Sequence, residues 1–360
     1  MPCVTLAQQA GRVALLSGLV LCASLQASSD AQPLAVSTLG VVDVAGSVMH
    51  VRIDDTGRRV LVSTVRYPEG GLRRDELHFY ELTGSGGTEG LVHRLTRGVD
   101  DVEAVALARD GARTAVGCGT DVCIQQWGEE AVESRLASGA RRRELGSLAF
   151  RPDLGLLAAA QRPRMEIIVW ELAGGARREW AVASGMERLR ESVTPRLHGS
   201  PLWIPRWVGI SPDGHRVASI RDDGTVSLWT RVGQSVKSFR GPYYGDMDPA
   251  FTPDGTLLVM TGRDGMLSAV DVESERVLLT VEDRASRSPR RAALLIGARV
   301  SYLGTSGTDS VVLHAIPSGV VAAKVPVPDP VWRIAMSGDG RVLAVATQHR
   351  VSFWSLPASP

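Results

Sequence analysis

The region around Gly209–Gly241 constrains the fold more than any other part of the chain, because four short apolar runs alternate there with turn residues. The apolar runs are Trp207–Ile210, Val217–Ile220, Val226–Trp229 and Val236–Phe239. The breaks between them are Ser211-Pro212-Asp213-Gly214, Asp222-Asp223-Gly224 and Val232-Gly233-Gln234. Proline sets φ, aspartate accepts bonds from backbone amides, and Asp-Gly between β-rich runs favours a hairpin. The pattern predicts a small four-stranded antiparallel sheet, which cannot bury both of its apolar faces alone.

The same pattern recurs along the whole chain. The residues that end the third strand of each unit are Tyr80, Trp127, Trp170, Trp229, Val270, His314 and Trp354, spaced by 47, 43, 59, 41, 44 and 40 residues. The first turns recur in step, at Asp55-Thr56-Gly57, Asp110-Gly111, Pro152-Asp153, Pro212-Asp213-Gly214, Pro253-Asp254-Gly255, Ile296-Gly297 and Asp339-Gly340. A period of roughly 40–45 residues is typical of four-stranded propeller blades. We therefore predict an all-β, seven-bladed β-propeller of four-stranded antiparallel blades over residues 32–360.

The units resemble those of the WD-repeat β-propeller family over essentially the whole of this region. The motifs that carry the resemblance are Ser211-Pro212-Asp213-Gly214, the run Asp223–Trp229, and Val331–Met336 before Ser337-Gly338-Asp339-Gly340. The chain departs from the family because no unit has the Gly-His pair, and only Trp170-Glu171 approaches the Trp-Asp dipeptide. Asp223, Ser219 and Trp229 keep part of the family's buried hydrogen-bond set. The resemblance implies a divergent bacterial member with the family fold, and it implies no particular partner.

The two ends of the repeat region predict how the ring closes. Only Ser355–Pro360 follow Trp354, which leaves too few residues for a fourth strand. Leu34–Val41 is a spare strand before the first unit, and we predict that it completes the last blade. A long insertion at about residues 185–206 separates blades three and four.

Residues 1–31 have the pattern of a signal peptide. Arg12 precedes an apolar run, Val13–Leu25, and small polar residues follow it. The run is shorter than the roughly 20 residues that span a membrane, so we predict export to the periplasm or the extracellular space. Membrane attachment through an uncleaved signal or through a lipid anchor at Cys22 remains an alternative, although Leu21 is bulky for a lipoprotein motif.

Export changes the interpretation of the cysteines. Cys118 and Cys123 are the two that follow the predicted signal peptide, and they flank Gly119–Val122. A four-residue hairpin loop would place them opposite each other, where a modest twist brings their Cβ atoms within disulfide range. In an oxidising compartment we predict a disulfide, with a pair of buried thiols as the alternative.

Composition and motifs favour no catalytic chemistry. The net charge is +1, so nothing in the overall charge argues for a nucleic-acid partner, and we expect none. The sequence has no Cys-x-x-Cys-His, no Gly-x-Ser-x-Gly and no clustered metal-ligand spacing, and its histidines fall at unrelated positions in the units. We therefore expect no metal and no cofactor. An exported lactonase or dehydrogenase with its site at one mouth of the ring remains the rival interpretation, on fold analogy alone.

Arginines concentrate on one predicted face of the ring, where the links between blades and the turns between second and third strands emerge. The residues that we assign to a binding face are Arg66, Arg142, Arg162, Arg164, Arg221, Arg263, Arg290, Trp203, Tyr243, Tyr244 and Trp332. The loops between third and fourth strands instead carry acidic residues, such as Glu133, Glu171 and Glu273. Arginine with tyrosine and tryptophan is typical of interface hot spots, whereas a solvated mixture of charges is the alternative explanation.

These patterns predict a non-catalytic, exported propeller that acts as a protein-binding or scaffold module. The basic, aromatic-bearing face would receive an acidic protein surface. A ligand-sensing or envelope-structural domain is a third interpretation.

Overall fold

The structure of the protein is a computed structural model, and it describes most of residues 36–356. The exceptions are residues 69–70, 84–89, 100–101, 103, 130, 139–144, 162–165, 174–175, 182–204, 222–223, 242–248, 253, 262–266, 282–291, 297–300, 307–309 and 317–319. The chain divides into two units, Met1–Ala31 and Gln32–Pro360. The first unit, which contains the predicted signal peptide, lies outside the described residues.

The described residues form strands and one short 3-10 turn, Pro152–Leu154. The strands group into seven four-stranded antiparallel sheets, which we number in chain order. Sheet 1 comprises β2 (Ser47–Ile53), β3 (Arg59–Arg66), β4 (Arg74–Thr83) and β5 (Gly90–Val99). Sheet 2 comprises β6 (Val105–Leu107), β7 (Arg113–Cys118), β8 (Asp121–Gln126) and β9 (Val132–Ala137). Sheet 3 comprises β10 (Leu145–Arg151), β11 (Leu156–Gln161), β12 (Glu166–Glu171) and β13 (Ala176–Ala181).

The remaining sheets follow the same order of strands. Sheet 4 comprises β14 (Pro205–Ile210), β15 (Arg216–Arg221), β16 (Thr225–Thr230) and β17 (Ser235–Arg240). Sheet 5 comprises β18 (Ala250–Phe251), β19 (Leu257–Thr261), β20 (Leu267–Asp271) and β21 (Val277–Val281). Sheet 6 comprises β22 (Ala292–Ile296), β23 (Ser301–Ser306), β24 (Ser310–Ile316) and β25 (Val321–Pro326). Sheet 7 comprises β26 (Arg333–Met336), β27 (Val342–Ala346), β28 (Arg350–Ser355) and β1 (Ser37–Asp43).

Neighbouring sheets pack face to face, and the apolar clusters between them form the core. Leu61, Leu77 and Phe79 of sheet 1, for example, are fully buried in a cluster with Val105 and Val116 of sheet 2. Similar clusters join sheets 2 and 3, 3 and 4, 4 and 5, 6 and 7, and 7 and 1, while β22 lies against β18 and β19. This is a β-propeller arrangement of four-stranded antiparallel blades, so the predicted all-β class is confirmed.

The periodic residues occupy equivalent places in the sheets. Tyr80, Trp170, Trp229, Val270, His314 and Trp354 all lie in the third strand of their sheets, and Trp127 directly follows one. The indole Nε1 of Trp229 donates a hydrogen bond to Ser219 Oγ at 3.0 Å inside the core. This bond belongs to the set that the WD-repeat resemblance implies, whereas Asp223 lies outside the described residues.

The predicted N-terminal strand does complete the last sheet. β1 pairs antiparallel with β28, from Ser37↔Ser355 to Asp43↔Arg350, with a bulge between Thr38 and Gly40. The strand therefore runs two residues beyond the predicted end at Val41. Asp43 belongs to it because it pairs with Arg350 in the register, and its carboxylate also accepts a hydrogen bond from Arg350 Nε at 2.8 Å.

Three first turns share one hydrogen-bond arrangement, built on the sequence Ser/Thr-x-Asp-Gly. In sheet 4, Ser211 Oγ donates to Asp213 Oδ1 at 2.5 Å, and the same carboxylate oxygen accepts the His215 amide at 3.0 Å. The Arg216 amide closes the turn by donating to Ser211 Oγ at 2.9 Å. Gly214 takes φ of 72°, which glycine adopts without a steric penalty. Thr252–Leu257 and Ser337–Val342 repeat these bonds.

The turns also join neighbouring sheets. The Asp55 amide donates to Arg109 O at 2.7 Å, and the Asp339 amide donates to Asp55 O at 2.8 Å. Arg109 Nε donates to the Asp55 carboxylate at 2.6 Å. Burial nevertheless raises the pKa of Asp55, because the loss of water outweighs the attraction of Arg109. These bonds fix the relative positions of sheets 7, 1 and 2.

The cysteine pair forms the predicted disulfide, but the hairpin that carries it has a shorter turn than predicted. Cys118 and Cys123 are bonded, with Cα atoms 5.9 Å apart. The connecting turn has two residues, Gly119 and Thr120, and not four. Cys118 lies opposite Asp121, while Cys123 lies opposite Val116, so the bond crosses the hairpin diagonally. The predicted loop was wrong because Gly119 adopts φ of 70° and permits a tighter turn.

The insertion between sheets 3 and 4 ends before residue 205, which is earlier than the predicted end at about residue 206. β14 begins at Pro205, so residues 205 and 206 belong to sheet 4. The rest of the insertion, residues 185–204, lies outside the described residues.

Deletion of β1 tests ring closure. A chain that starts at Val44 leaves β28 with an unpaired edge and exposes the cluster between sheets 7 and 1, so we expect a lower melting temperature and a broader transition. Differential scanning calorimetry measures both, with a chain that starts at Gln32 as the control. Equal melting of the two chains would contradict the assignment.

Aspartates in the shared turns should make stability depend on pH. Partial burial alone would raise the pKa of Asp213, but hydrogen bonds from Ser211 and from the His215 amide outweigh it and hold that pKa below its usual value. Hydrogen bonds from Thr252 and Thr256 hold the pKa of Asp254 below its usual value in the same way. A carboxylate with a lowered folded-state pKa stabilises the fold above its unfolded pKa of about 4, and this contribution disappears as pH falls through the folded value.

The double variant Asp213→Ala, Asp254→Ala should therefore unfold more easily than the wild type at about pH 7, by about 1 kcal/mol for each turn. Because the lost stabilisation requires ionised carboxylates, the difference should shrink at about pH 3. Urea unfolding at both pH values measures it. Glu129→Gln, at an exposed carboxylate, is the control, and a difference that is constant with pH would count against the explanation.

The disulfide should contribute modestly to stability. The double variant Cys118→Ser, Cys123→Ser should unfold about 2 kcal/mol more easily, because the cross-linked loop is short and the entropy that it removes from the unfolded chain is small. Chemical denaturation measures the difference. Mass spectrometry after non-reducing alkylation checks the bond itself, and two alkylated thiols in the protein from its native source would contradict it.

Candidate functional site on the closing face

Three of the predicted binding residues lie among the described residues, namely Arg66, Arg221 and Trp332. The other eight, Arg142, Arg162, Arg164, Arg263, Arg290, Trp203, Tyr243 and Tyr244, lie outside them. Arg66 and Trp332 are found at two regions that meet where sheet 7 adjoins sheet 1. We call this surface the closing face; among the described residues it consists of 43–47, 66–68, 71–74, 329–332 and 347–350.

Trp332 lines a cavity of ≈ 330 Å³ at the closing face. The full lining is Asp43, Asp329, Pro330, Trp332, Thr347, Gln348, His349 and Arg350. The backbone holds the tryptophan in place, because its amide donates to Ala346 O at 2.6 Å and its carbonyl accepts a bond from Arg333 at 2.8 Å. Arg333 also donates to Met49 O at 2.7 Å, which anchors this link to sheet 1.

An ion pair forms one side of the cavity. Arg350 Nε lies 2.8 Å from Asp43 Oδ1. This hydrogen bond raises the pKa of Arg350 above its ordinary value, and the more distant charge of Asp329 acts in the same direction. Both paired side chains are largely exposed, so the pair organises the cavity more than it stabilises the fold.

His349 connects the cavity to the link between β1 and β2. Its Nδ1 lies 2.7 Å from Gly46 O, and a carbonyl oxygen can only accept, so Nδ1 carries a proton. In the neutral ring Nε2 is then a hydrogen-bond acceptor. Gly46 has φ of 103°, and a Cβ at this position would stand 2.7 Å from Val65 O and 3.2 Å from Arg66 Cβ. Only glycine allows this close approach, which brings the link against the end of β3.

The turn between β3 and β4 carries exposed apolar side chains. Tyr67 is 70% exposed and Leu72 is 89% exposed, which are the largest exposed fractions among the exposed large apolar side chains of the described residues. Two ion pairs support the base of this turn. Arg66 lies 2.5 Å from Glu76, and Arg73 lies 2.9 Å from Asp75. The turn therefore presents two apolar side chains on a firmly held base.

Arg221 occupies the equivalent end of β15 but is only 6% exposed. Its guanidinium group is therefore not part of an exposed basic surface, because the side chain is buried where β15 pairs with Pro205. Arg66 and Arg350 are each paired with a carboxylate. The described part of the closing face is notable for its cavity and its apolar side chains.

Three of the acidic residues predicted for the opposite side, Glu133, Glu171 and Glu275, form ion pairs there. Glu171 pairs with Arg231 at 3.7 Å and Glu275 pairs with Lys237 at 3.2 Å, in both cases between neighbouring sheets. Glu133 pairs with Arg113 at 3.3 Å within sheet 2. Their acidic character therefore serves contacts within the fold.

Sequence reasoning did not identify Asp43, Asp329 or His349 as site residues. No motif marks them, although the register of repeats places His349 in the same turn position as Tyr67, between second and third strands. Among the described residues, no group of three or more histidine, cysteine, aspartate or glutamate side chains could hold a metal ion. The described part of the chain also contains no helix with the length and hydrophobicity needed to cross a membrane.

No protein-family model matches the chain. Centriole proteome protein 16 of Chlamydomonas reinhardtii is 30% identical to it over 212 residues, which is 56% of this chain. The match spans 9% of the length of that relative.

Proposed function

We propose that the chain is an exported β-propeller of the WD-repeat type that binds another protein through its closing face and has no catalytic role. In this proposal the seven sheets are the blades of one closed ring, and residues 1–31 direct the protein to the periplasm or the extracellular space. The disulfide between Cys118 and Cys123 supports an oxidising location.

The observation that carries the proposal is the combination of apolar exposure and a cavity on one surface. Tyr67 and Leu72 are exposed beside the end of β3, and Gly46 links this turn to the cavity at Trp332. Aromatic anchors near a pocket are typical of the residues that dominate the energetics of protein interfaces. A β-propeller fold is compatible with such a scaffold role.

The charge of the partner is a further part of the proposal. Arg142, Arg162, Arg164, Arg263 and Arg290 would surround the closing face and attract an acidic protein surface. Of the predicted arginines that the structure describes, Arg66 shares its guanidinium with Glu76 and Arg221 is buried. Guanidinium groups can chelate carboxylates bidentately, and their long-range attraction would weaken as salt shortens the Debye length.

The relative from the centriole proteome is consistent with a role in protein assemblies. The match covers only 9% of that relative, so it suggests no particular partner. The partner is therefore identified first, by cross-linking the wild-type protein in its native exported fraction and by mass spectrometry, and is then purified for binding measurements.

The triple variant Tyr67→Ser, Leu72→Ser, Trp332→Ala should weaken binding of this partner at least tenfold, since hot-spot side chains contribute about 2 kcal/mol or more each. Isothermal titration calorimetry measures Kd. The control is Arg58→Glu, Arg113→Glu, Arg216→Glu, at the turns of the opposite side, which should change Kd less than about twofold. Equal Kd values for both variants, with unchanged melting temperatures, would refute the closing face as the binding surface.

A further inference from the structure

We infer that the cavity at Trp332 receives a cationic side chain, arginine or lysine, from the bound protein. This inference rests on the proposed function and adds the chemistry of one contact to it. The arginines around the closing face are proposed to attract an acidic partner surface as a whole, whereas this inference concerns one side chain of that partner.

The turn between β27 and β28 uses its side-chain donors within the fold. Thr347 Oγ1 donates to Arg350 O at 3.4 Å, and Gln348 Nε2 donates to Ser47 Oγ at 3.4 Å. His349 Nδ1 donates to Gly46 O. These three residues retain three acceptors for a ligand, a hydroxyl oxygen, an amide oxygen and Nε2 of the neutral His349 ring, against one remaining N–H donor of Gln348.

The charges that line the cavity also favour a cation. Asp43 and Asp329 supply two carboxylates, against one guanidinium from Arg350. Arg350 is engaged by Asp43 at 2.8 Å, and Asp329 also acts on its charge. An anionic ligand would meet both carboxylates and would have to compete with Asp43 for Arg350. A cationic ligand would add a second positive charge to a site with an excess of one negative charge.

Trp332 provides the remaining wall. An indole ring attracts a cation over its face, and tryptophan does so more strongly than tyrosine or phenylalanine. The combination of an aromatic wall, carboxylates and neutral acceptors fits the guanidinium of arginine, which both stacks on rings and donates several hydrogen bonds, and it fits the ammonium of lysine. A partner with an acidic surface would then insert one basic side chain at this point.

Four capped peptides provide the probes: acetyl-Gly-Xaa-Gly-amide with arginine, lysine, citrulline or glutamate as Xaa. Citrulline matches arginine in shape but has no charge. The indole N–H signal of Trp332 in a nitrogen-15 correlation spectrum, assigned from the variant Trp332→Phe, reports occupancy. We expect the arginine and lysine peptides to shift this signal, and the citrulline and glutamate peptides to leave it in place.

The variant Asp329→Asn should weaken the response to the arginine peptide several-fold, because one carboxylate is lost while the shape of the cavity is kept. Glu129→Gln removes an exposed carboxylate on the opposite side and should leave the response unchanged. A shift caused by the glutamate peptide instead, an equal shift with citrulline, or no shift with any peptide would overturn the inference.

The test separates the two proposals. If the triple variant loses the protein partner but no cationic peptide shifts Trp332, the proposed function stands and the cationic contact is wrong. If the arginine peptide binds at Trp332 but the triple variant keeps the partner affinity, the cavity is a cation site and the closing face is not the interface.

Discussion

The packing of one small sheet against the next is the interaction on which the whole structure depends. A four-stranded sheet has two apolar faces, and in this protein side chains on both faces of a strand are buried, as with Leu61 and Val62 of β3. Each sheet must therefore be covered on both sides, and a ring in which the last sheet meets the first satisfies this requirement without a terminal sheet. Removal of β1 should lower stability for the same reason, because β1 pairs with β28 at the edge of sheet 7, and sheet 7 packs against sheet 1.

The turns contribute a second layer of organisation. The Ser/Thr-x-Asp-Gly turns satisfy their own backbone groups through one carboxylate and one hydroxyl, and the Asp55 turn bonds to the turns on either side of it. The opposite side of the protein carries structural contacts, including the ion pairs of Glu171 and Glu275. The closing face differs in degree, since Tyr67 and Leu72 are 70% and 89% exposed, against 47% for Val232 in a turn of the opposite side, and it contains the cavity at Trp332. This asymmetry between the two sides is the physical basis for placing binding on the closing face.

Charge at the closing face shows why counting residues in the sequence is a poor guide to electrostatics. Among the arginines that the structure describes there, Arg66 and Arg350 each lie against a carboxylate and Arg221 is buried. Two carboxylates and one guanidinium line the cavity, so its local environment is slightly acidic. A partner would therefore meet different charges at different points of one surface, which favours specificity more than affinity.

The sequence by itself determined the repeat, the strand order within each unit, the closing strand and the disulfide. These features depend on local patterns, because alternating apolar runs and Asp-Gly turns act over a few residues, and the period carries them along the chain. The tertiary structure alone decided which side chains share a site. Asp43 and His349 are 306 positions apart, and they line one cavity only because the last sheet meets the first. The two-residue hairpin at Gly119 and the burial of Arg221 likewise depend on contacts between strands, which no local pattern records.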